Sequence, residues 1–338
     1  MTRFDGPGLA AGPETARIAA FLEEASAGAG PADPAVAITL PPGDDAAAFR
    51  LETDEQVVVS CDASVEGVHF RRAWMTWETI GYRAAASALS DLAAMAAAPI
   101  GLVVSAALPP ELGIETAAAL GRGVGEIARR AEAEVLGGDL VASPGPVFLD
   151  VTVLGRVADP KRRRDARPGD ELWVTGELGA AAAALRDLER GLEPDGTARA
   201  AFDRPQPRIR EARWLAERVD LHAAIDLSDG LLRDARHLAA ASGVALRIDA
   251  ARVPAASPLE GFRRAPVATR LVLAGGEDYE LLLAVAPGTM RGTARAFAAA
   301  FDLPITRIGT VSRGEGVRVD GLEGPEVPAG FDHFASDP

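Results

Sequence analysis

The chain has one cysteine, Cys61, and one lysine, Lys161, among 338 residues. A single thiol excludes an intrachain disulfide, a zinc site built on clustered cysteines and a CxxC redox pair. The single lysine is as restrictive. A P-loop requires the lysine of GxxxxGK[ST], and a protein-kinase fold requires one on a strand. Lys161 sits in Pro160-Lys161-Arg162-Arg163-Arg164 and fits neither context, so any use of ATP demands another architecture. Positive charge is scarce as well: 35 Lys and Arg face 49 Asp and Glu, a formal net charge of −14. That argues against nucleic acid or an anionic membrane as the main partner. No window approaches about 18 unbroken apolar residues, and Met1 to Leu9 lacks a charged-then-apolar signal pattern. The expectation is a soluble cytoplasmic protein.

What is present suits a globular chain: 48% hydrophobic and 25% charged residues. At this length two domains are expected. Residues 1–157 read as mixed strand and helix. Helices are predicted at 13–27, 76–97 and 114–132, and strands at 36–40, 100–108, 135–136 and 147–157, with 46–51 and 56–61 as a strand pair. Residues 158–170, with Pro160 and Pro168, form a polar connector. A second α/β pattern fills the remainder of 158–338. Strands are predicted at 171–176, 223–227, 244–248, 271–273, 279–285 and 305–311, and helices at 178–189, 208–217, 230–241 and 290–301.

Chemistry concentrates in carboxylates beside glycine or at strand ends. Val57-Val58-Val59 runs into Ser60-Cys61-Asp62, and a turn with Gly67 then carries His69. Asp44 and Asp45 follow Gly43, Asp139 follows Gly137-Gly138, Asp226 and Asp229 flank Leu227-Ser228, and Glu277-Asp278 follow Gly275-Gly276. Asp91 lies inside a predicted helix. Glycine lets a backbone approach a ligand closely and offers its N–H to phosphate, while carboxylates gather hard cations. Taken singly, each acid is more often a turn or a cap. Independent caps do not explain why such acids end strands in both halves. Gly121-x-Gly123-x-Gly125 falls in a helical pattern with the wrong spacing for a nucleotide fingerprint.

Together GDDAA (43–47), SCD and VEGVHF (60–70), LSDLAAM (89–95), GGD (137–139), PGD (168–170), IDLSDGL (225–231), GGEDYEL (275–281) and GFDHF (330–334) resemble the thiamine-monophosphate kinases. That superfamily also holds aminoimidazole-ribonucleotide synthetase and selenophosphate synthetase. The match runs in the family's order over nearly the whole chain.

The resemblance implies ATP-dependent conversion of thiamine monophosphate to thiamine diphosphate, the last step of thiamine diphosphate biosynthesis. Transfer would be direct and in line, with several Mg2+ ions and ATP as co-substrate. It implies an α/β and α+β chain of two domains and a homodimer. Residues 1–157 would bind metal and ATP, their strands joining a partner's in an intersubunit β-barrel flanked by helices. Residues 158–338 would form an α+β domain closing the active site. By motif position the magnesium ligands are Asp45, Ser60, Asp62, Asp91, Asp139, Asp226 and Asp229, with Cys61 where the family usually has a metal-facing hydroxyl. Gly138, Asp139, Arg163 and Ser228 would contact ATP, and His69, Glu277 and Phe331 thiamine monophosphate. A phosphate acceptor is already ionised, so no general base is needed. Two departures bear on detail. A thiol is a poor Mg2+ ligand, leaving the Cys61 carbonyl to serve, and Leu140 follows GGD where the family usually has threonine. Three alternatives stay open: a sister ATP-dependent enzyme, a metal-dependent phosphatase, and a nucleotide-binding protein without catalysis.

Overall fold

The computed structural model describes residues 20–21, 23–25, 27, 36–40, 48–51, 54–259 and 266–322. Asp44, Asp45, Phe331 and most of the helix expected at 13–27 lie outside them. Backbone proximity divides the chain into one unit of Met1–Leu92 with Ala97–Asp159 and another of Ala93–Ala96 with Pro160–Pro338.

In the first unit β1 (Val36–Leu40) pairs antiparallel with β2 (Ala48–Leu51). Four further strands, β3 (Gln56–Val65), β4 (Ala98–Leu108), β5 (Glu134–Ala142) and β6 (Phe148–Val157), form a sheet in the order β3-β6-β4-β5. The predicted pairing of 46–51 with 56–61 is therefore corrected. β3 instead takes β6 in unbroken register from Gln56↔Val157 to Val65↔Phe148. The hairpin was the shorter connection, but β6 offers a longer ladder and the fully buried Val151 and Val153. Among the described residues this sheet is open, not a closed barrel.

One face of the sheet is packed. Leu102, Val104, Leu149, Val151 and Val153 are buried, and a Cβ on Gly155 would meet Leu92 Cδ2 at 3.0 Å. Leu92 belongs to α1 (Trp77–Ala94), which is buried along most of its length. α1 and α2 (Ile114–Arg130) cross almost backbone to backbone. A Cβ on Gly123 would lie 1.9 Å from the Glu78 carbonyl oxygen, and one on Gly81 2.3 Å from that of Leu120. The glycine-rich stretch 121–125 thus serves helix packing, since neither backbone can retreat from an added methyl. The other sheet face is open, with Val57, Val59, Val141 and Phe148 exposed by 49%, 65%, 50% and 37%.

The second unit holds β7 (Glu171–Thr175), β8 (Leu221–Asp226), β9 (Ala245–Asp249), β10 (Leu281–Val285), β11 (Ile305–Ser312) and β12 (Gly316–Asp320). Their order is β12-β9-β11-β7-β10-β8, antiparallel except for β12 with β9. Helices α3 (Ala180–Glu189), α4 (Gly196–Asp203), α5 (Ile209–Ala216), α6 (Leu231–Ser242), α7 (Pro266–Ala274) and α8 (Thr293–Phe301) complete it. The strand predicted at 271–273 is instead the last turn of α7. A three-residue apolar run fits either period, and Pro266 at the first helical position settles it. Among the described residues no helix is long and apolar enough to cross a membrane.

Candidate functional site

The sequence-selected residues fall into two sets, one in each unit. In the first, β3 and α1 bring Ser60 and Asp91 into contact, Ser60 Oγ donating to Asp91 Oδ2 at 2.6 Å. Side chains alternate along a strand, so Asp62 shares the face of Ser60, while Cys61 points to the opposite, open face and is exposed. All three oxygen-bearing side chains are half-buried. The Cys61 thiol and Asp91 thus lie on opposite sides of the sheet.

Register also separates Asp139 from Asp62. Asp62 pairs with Val151, Val151 with Val104, and Val104 with Gly138, so Asp62 and Gly138 are three strand spacings apart, about 14 Å. Asp139 pairs with Ser105, Ser105 with Asp150, and Asp150 with Ala63. That row occupies the open face, and Asp139 is exposed there. A bulge between Leu102 and Val103, where Gly137 takes φ +147°, lets β5 continue through its glycines. Gly138 admits no side chain, since a Cβ would lie 2.0 Å from the Val104 carbonyl oxygen.

His69 is fixed by its own turn. Val65 N–H donates to His69 Nδ1 at 3.0 Å, and His69 N–H returns to the Val65 carbonyl at 2.9 Å. With Nδ1 accepting, the neutral ring carries its proton on Nε2. Glu66 beside it is held by Arg72 at 2.5 Å and by Val147 N–H at 3.0 Å.

The second set gathers at one end of the six-stranded sheet. β8 and β10 are antiparallel with Asp226 opposite Leu281, so the end of IDLSDG meets the start of GGEDYE. Glu277 N–H donates to the Ser228 carbonyl at 2.7 Å and Tyr279 N–H to that of Leu227 at 2.9 Å. Glu277 and Tyr279 adopt φ of +59° and +51°, conformations costly for residues with side chains. Gly276, at φ +70°, is required because a Cβ would lie 2.6 Å from the Ser228 oxygen. Arg163 lies elsewhere in the unit, exposed in a short 3-10 turn whose carbonyl accepts from Ser242 Oγ at 2.6 Å.

Several residues here were given no role from sequence. Glu280 is 4% exposed and pairs through both oxygens with Arg208, at 2.8 Å from Nε and more closely from Nη2. Thr175 Oγ1 donates to Glu280 at 2.6 Å and accepts from Leu281 N–H at 2.8 Å. Burial works against the Arg208 charge, but Glu280 and then Glu211 together outweigh it and hold the guanidinium above its usual value. Asp278 Oδ1 accepts Gly179 N–H at 2.8 Å at the start of α3, while Oδ2 is buried with no hydrogen-bond partner among the described residues. Burial pushes this carboxyl well above the usual range, against the Gly179 bond, with Glu280 and Glu277 adding to the rise. Asp234 is pushed up to about 8, first by burial and then by the charges of Asp226 and Asp229. An acid in the first turn of a predicted helix was the available signal for Asp234. Arg208 and Thr175 had none, being 72 and 105 residues from Glu280.

The donor set of Asp226, Ser228 and Asp229 is all oxygen, and Arg233 Nε, 3.1 Å from Asp229 Oδ2, is a cation set against these anions. Mutual repulsion among Asp226, Asp229 and Asp234 fits a hard divalent cation held partly by phosphate. Among the described residues no three His, Cys, Asp or Glu side chains converge as a ready-made metal cage.

Comparison with known proteins agrees with this distribution of motifs. The family model described as AIR synthase related protein, N-terminal domain, matches residues 43–157, and the corresponding C-terminal domain matches 167–321. A thiamine-monophosphate kinase of Rhodopirellula baltica is 34% identical over 316 residues, covering 90% of this chain and 93% of its own. The crystal structure of thiamine-monophosphate kinase from Stenotrophomonas maltophilia superposes with TM-score 0.77 at 38% identity, over 84% of this chain and 92% of that one. A structure described as AaThiL complexed with AMPPCP and TMP gives TM-score 0.73 at 30% identity, over 84% and 89%. With its glycine–carboxylate motifs at the strand ends and both domains matched in order, this chain belongs to the thiamine-monophosphate kinase family of AIR synthase related proteins.

Proposed function

We propose that this protein is a thiamine-phosphate kinase that moves the γ-phosphoryl group of ATP directly and in line onto thiamine monophosphate. The observation that carries this is the relative solved with AMPPCP, an ATP analogue, and TMP, here read as thiamine monophosphate, at 30% identity across most of both chains. The geometry supports it with oxygen-only donors and closely apposed motif loops.

Both reacting partners are phosphates, so mutual repulsion is the main obstacle and positioning the main task. Bound Mg2+ would neutralise and align the two phosphate groups. In the first unit Ser60, Asp62 and Asp91 would hold it, Asp91 already oriented by the Ser60 hydroxyl; Asp45 and Asp139 are assigned the same role by motif. In the second unit Asp226 and Asp229 would do so. Cys61 would contribute through its carbonyl alone, since its thiol faces away. Gly138 brings its backbone near ATP, with Asp139, Arg163 and Ser228 as further nucleotide contacts. His69 would donate from Nε2 to the acceptor phosphate, with Glu277 and Phe331 completing the thiamine monophosphate contacts. No residue is needed as a general base. A homodimer through the open face of the four-stranded sheet would cover Val57, Val59 and Phe148, and the expected setting is the cytoplasm.

The test is purified protein with ATP, Mg2+ and thiamine monophosphate, following ADP and thiamine diphosphate together. Equal formation of both is expected. ADP without thiamine diphosphate would overturn the kinase reading in favour of hydrolysis.

A further inference from the structure

The loop from Leu227 to Gly230 is held from two sides. Glu277 and Tyr279 donate to it from one side through backbone N–H groups. On the other, a single oxygen, Asp234 Oδ2, accepts from Asp229 N–H at 3.2 Å and Gly230 N–H at 3.1 Å. Asp234 lies in the first turn of α6 and is 3% exposed. A usual helix cap reaches forward from the residue before the helix. Here a residue inside the helix reaches back to the two amides that precede it.

An exposed acid in the first turn would gain the same dipole interaction without burial. Asp234 is instead buried, with one oxygen committed to the two amides, so helix stability does not explain it. What the position does achieve is control of a loop that passes through a conformation open only to glycine. Gly230 stands at φ +109°, and a Cβ there would meet the Ala274 carbonyl carbon at 2.8 Å. The ion pair of Arg233 with Asp229, at 3.1 Å, acts on the side chain and leaves the amides alone.

We infer that Asp234 is a positioning residue: by holding the amides of Asp229 and Gly230 on one buried oxygen, it sets Asp226, Ser228 and Asp229 as a preformed acceptor for a divalent cation and nucleotide phosphate. The inference rests on the kinase reading above and adds to it a residue that touches neither substrate. Asparagine at 234 retains one carbonyl oxygen able to take both amides; alanine removes it, and leucine removes it while keeping the volume.

The experiment titrates Mn2+ into the full chain with AMPPCP, following the free-ion EPR signal, for wild type, Asp234→Asn, Asp234→Ala and Asp234→Leu. Circular dichroism selects a temperature at which each is folded, and the leucine variant replaces the alanine one if the cavity unfolds it. Asp234→Asn should bind Mn2+ within about threefold of wild type, while the leucine or alanine variant should lose about tenfold or more, the usual scale for removing a residue that orients metal ligands. Wild-type binding by Asp234→Leu overturns the inference, and so does equal loss in Asp234→Asn and Asp234→Leu. Wild-type formation of thiamine diphosphate is scored separately, so failure of the clamp and failure of the kinase reading give different results.

Discussion

Removing Arg208 should expose how much of the second unit's stability hangs on one buried ion pair. Glu280's side chain is 5% exposed and Arg208's 17%, and the two are joined through both carboxylate oxygens. Arg208→Met preserves the aliphatic stem and deletes the charge, leaving Glu280 with the Thr175 hydroxyl and removing the cation 3.7 Å from Glu211. Breaking one side of such a pair costs about 3–5 kcal/mol. An isolated buried carboxylate escapes its charge by taking up a proton, which for a glutamate costs about 4 kcal/mol at pH 7 and about 1 kcal/mol at pH 5. The loss at pH 7 should therefore be about 3–4 kcal/mol, or about 6–16 °C in Tm for a unit of this size, and most of it should return at pH 5. The sign follows because the variant's native state gains from a bound proton, a gain lost as pH rises. Urea unfolding followed by circular dichroism at pH 5 and 7 measures both. Arg208→Met with Glu280→Leu should recover most of the loss, as apolar replacement of a buried pair is often neutral, the remainder reflecting Glu211, 3.7 Å from Arg208 Nη1. A single-variant loss under about 1 kcal/mol, or a deficit unchanged between the two pH values, refutes the reasoning.

Asp62→Asn should lower turnover by several orders of magnitude while leaving the unfolding midpoint in place, because its proposed work is on the cation; activity within a few-fold of wild type removes that role. Gly276→Ala should cost about 1–3 kcal/mol, since its φ of +70° and the Ser228 oxygen 2.6 Å from the new Cβ both oppose a side chain; an unchanged urea midpoint would contradict this. In magnesium-free buffer, native stability should fall as pH rises from about 4 towards 8, because Asp234, pushed up to about 8, must ionise in a buried acidic setting. Asp234→Asn should flatten that slope, as read from Tm across the pH range, and a slope equal to wild type's would assign the dependence to other groups.

The acidic motifs were legible in the sequence because each announces itself within four or five residues: glycine, then acid, at the end of an apolar run. Their grouping was not. Asp226 meets the GGEDYE segment because β8 and β10 are neighbours in the sheet, a pairing that no local pattern encodes. The pairing of β3 is hidden for the same reason, since its partner β6 lies some ninety residues on while a hairpin partner is closer in sequence. The alternation of β3 does follow from sequence, and it separates Cys61 from Ser60 and Asp62 once the strand is known to extend to Val65. The first-turn position of Asp234 was readable, but its reach back to two amides depends on the positive φ of Gly230. Glu280 and Arg208 look like ordinary surface charges until the fold buries them.

Cys61 is the chain's lone thiol, and it stands solvent-reachable on the uncovered side of β3, next to the exposed Val59. That placement turns a chemical oddity into a built-in reporter. A maleimide has one cysteine to find, so its reaction rate measures access to this side of the sheet without any engineering. A rate that falls as protein concentration rises means that copies associate through this surface, whereas a constant rate means that they do not.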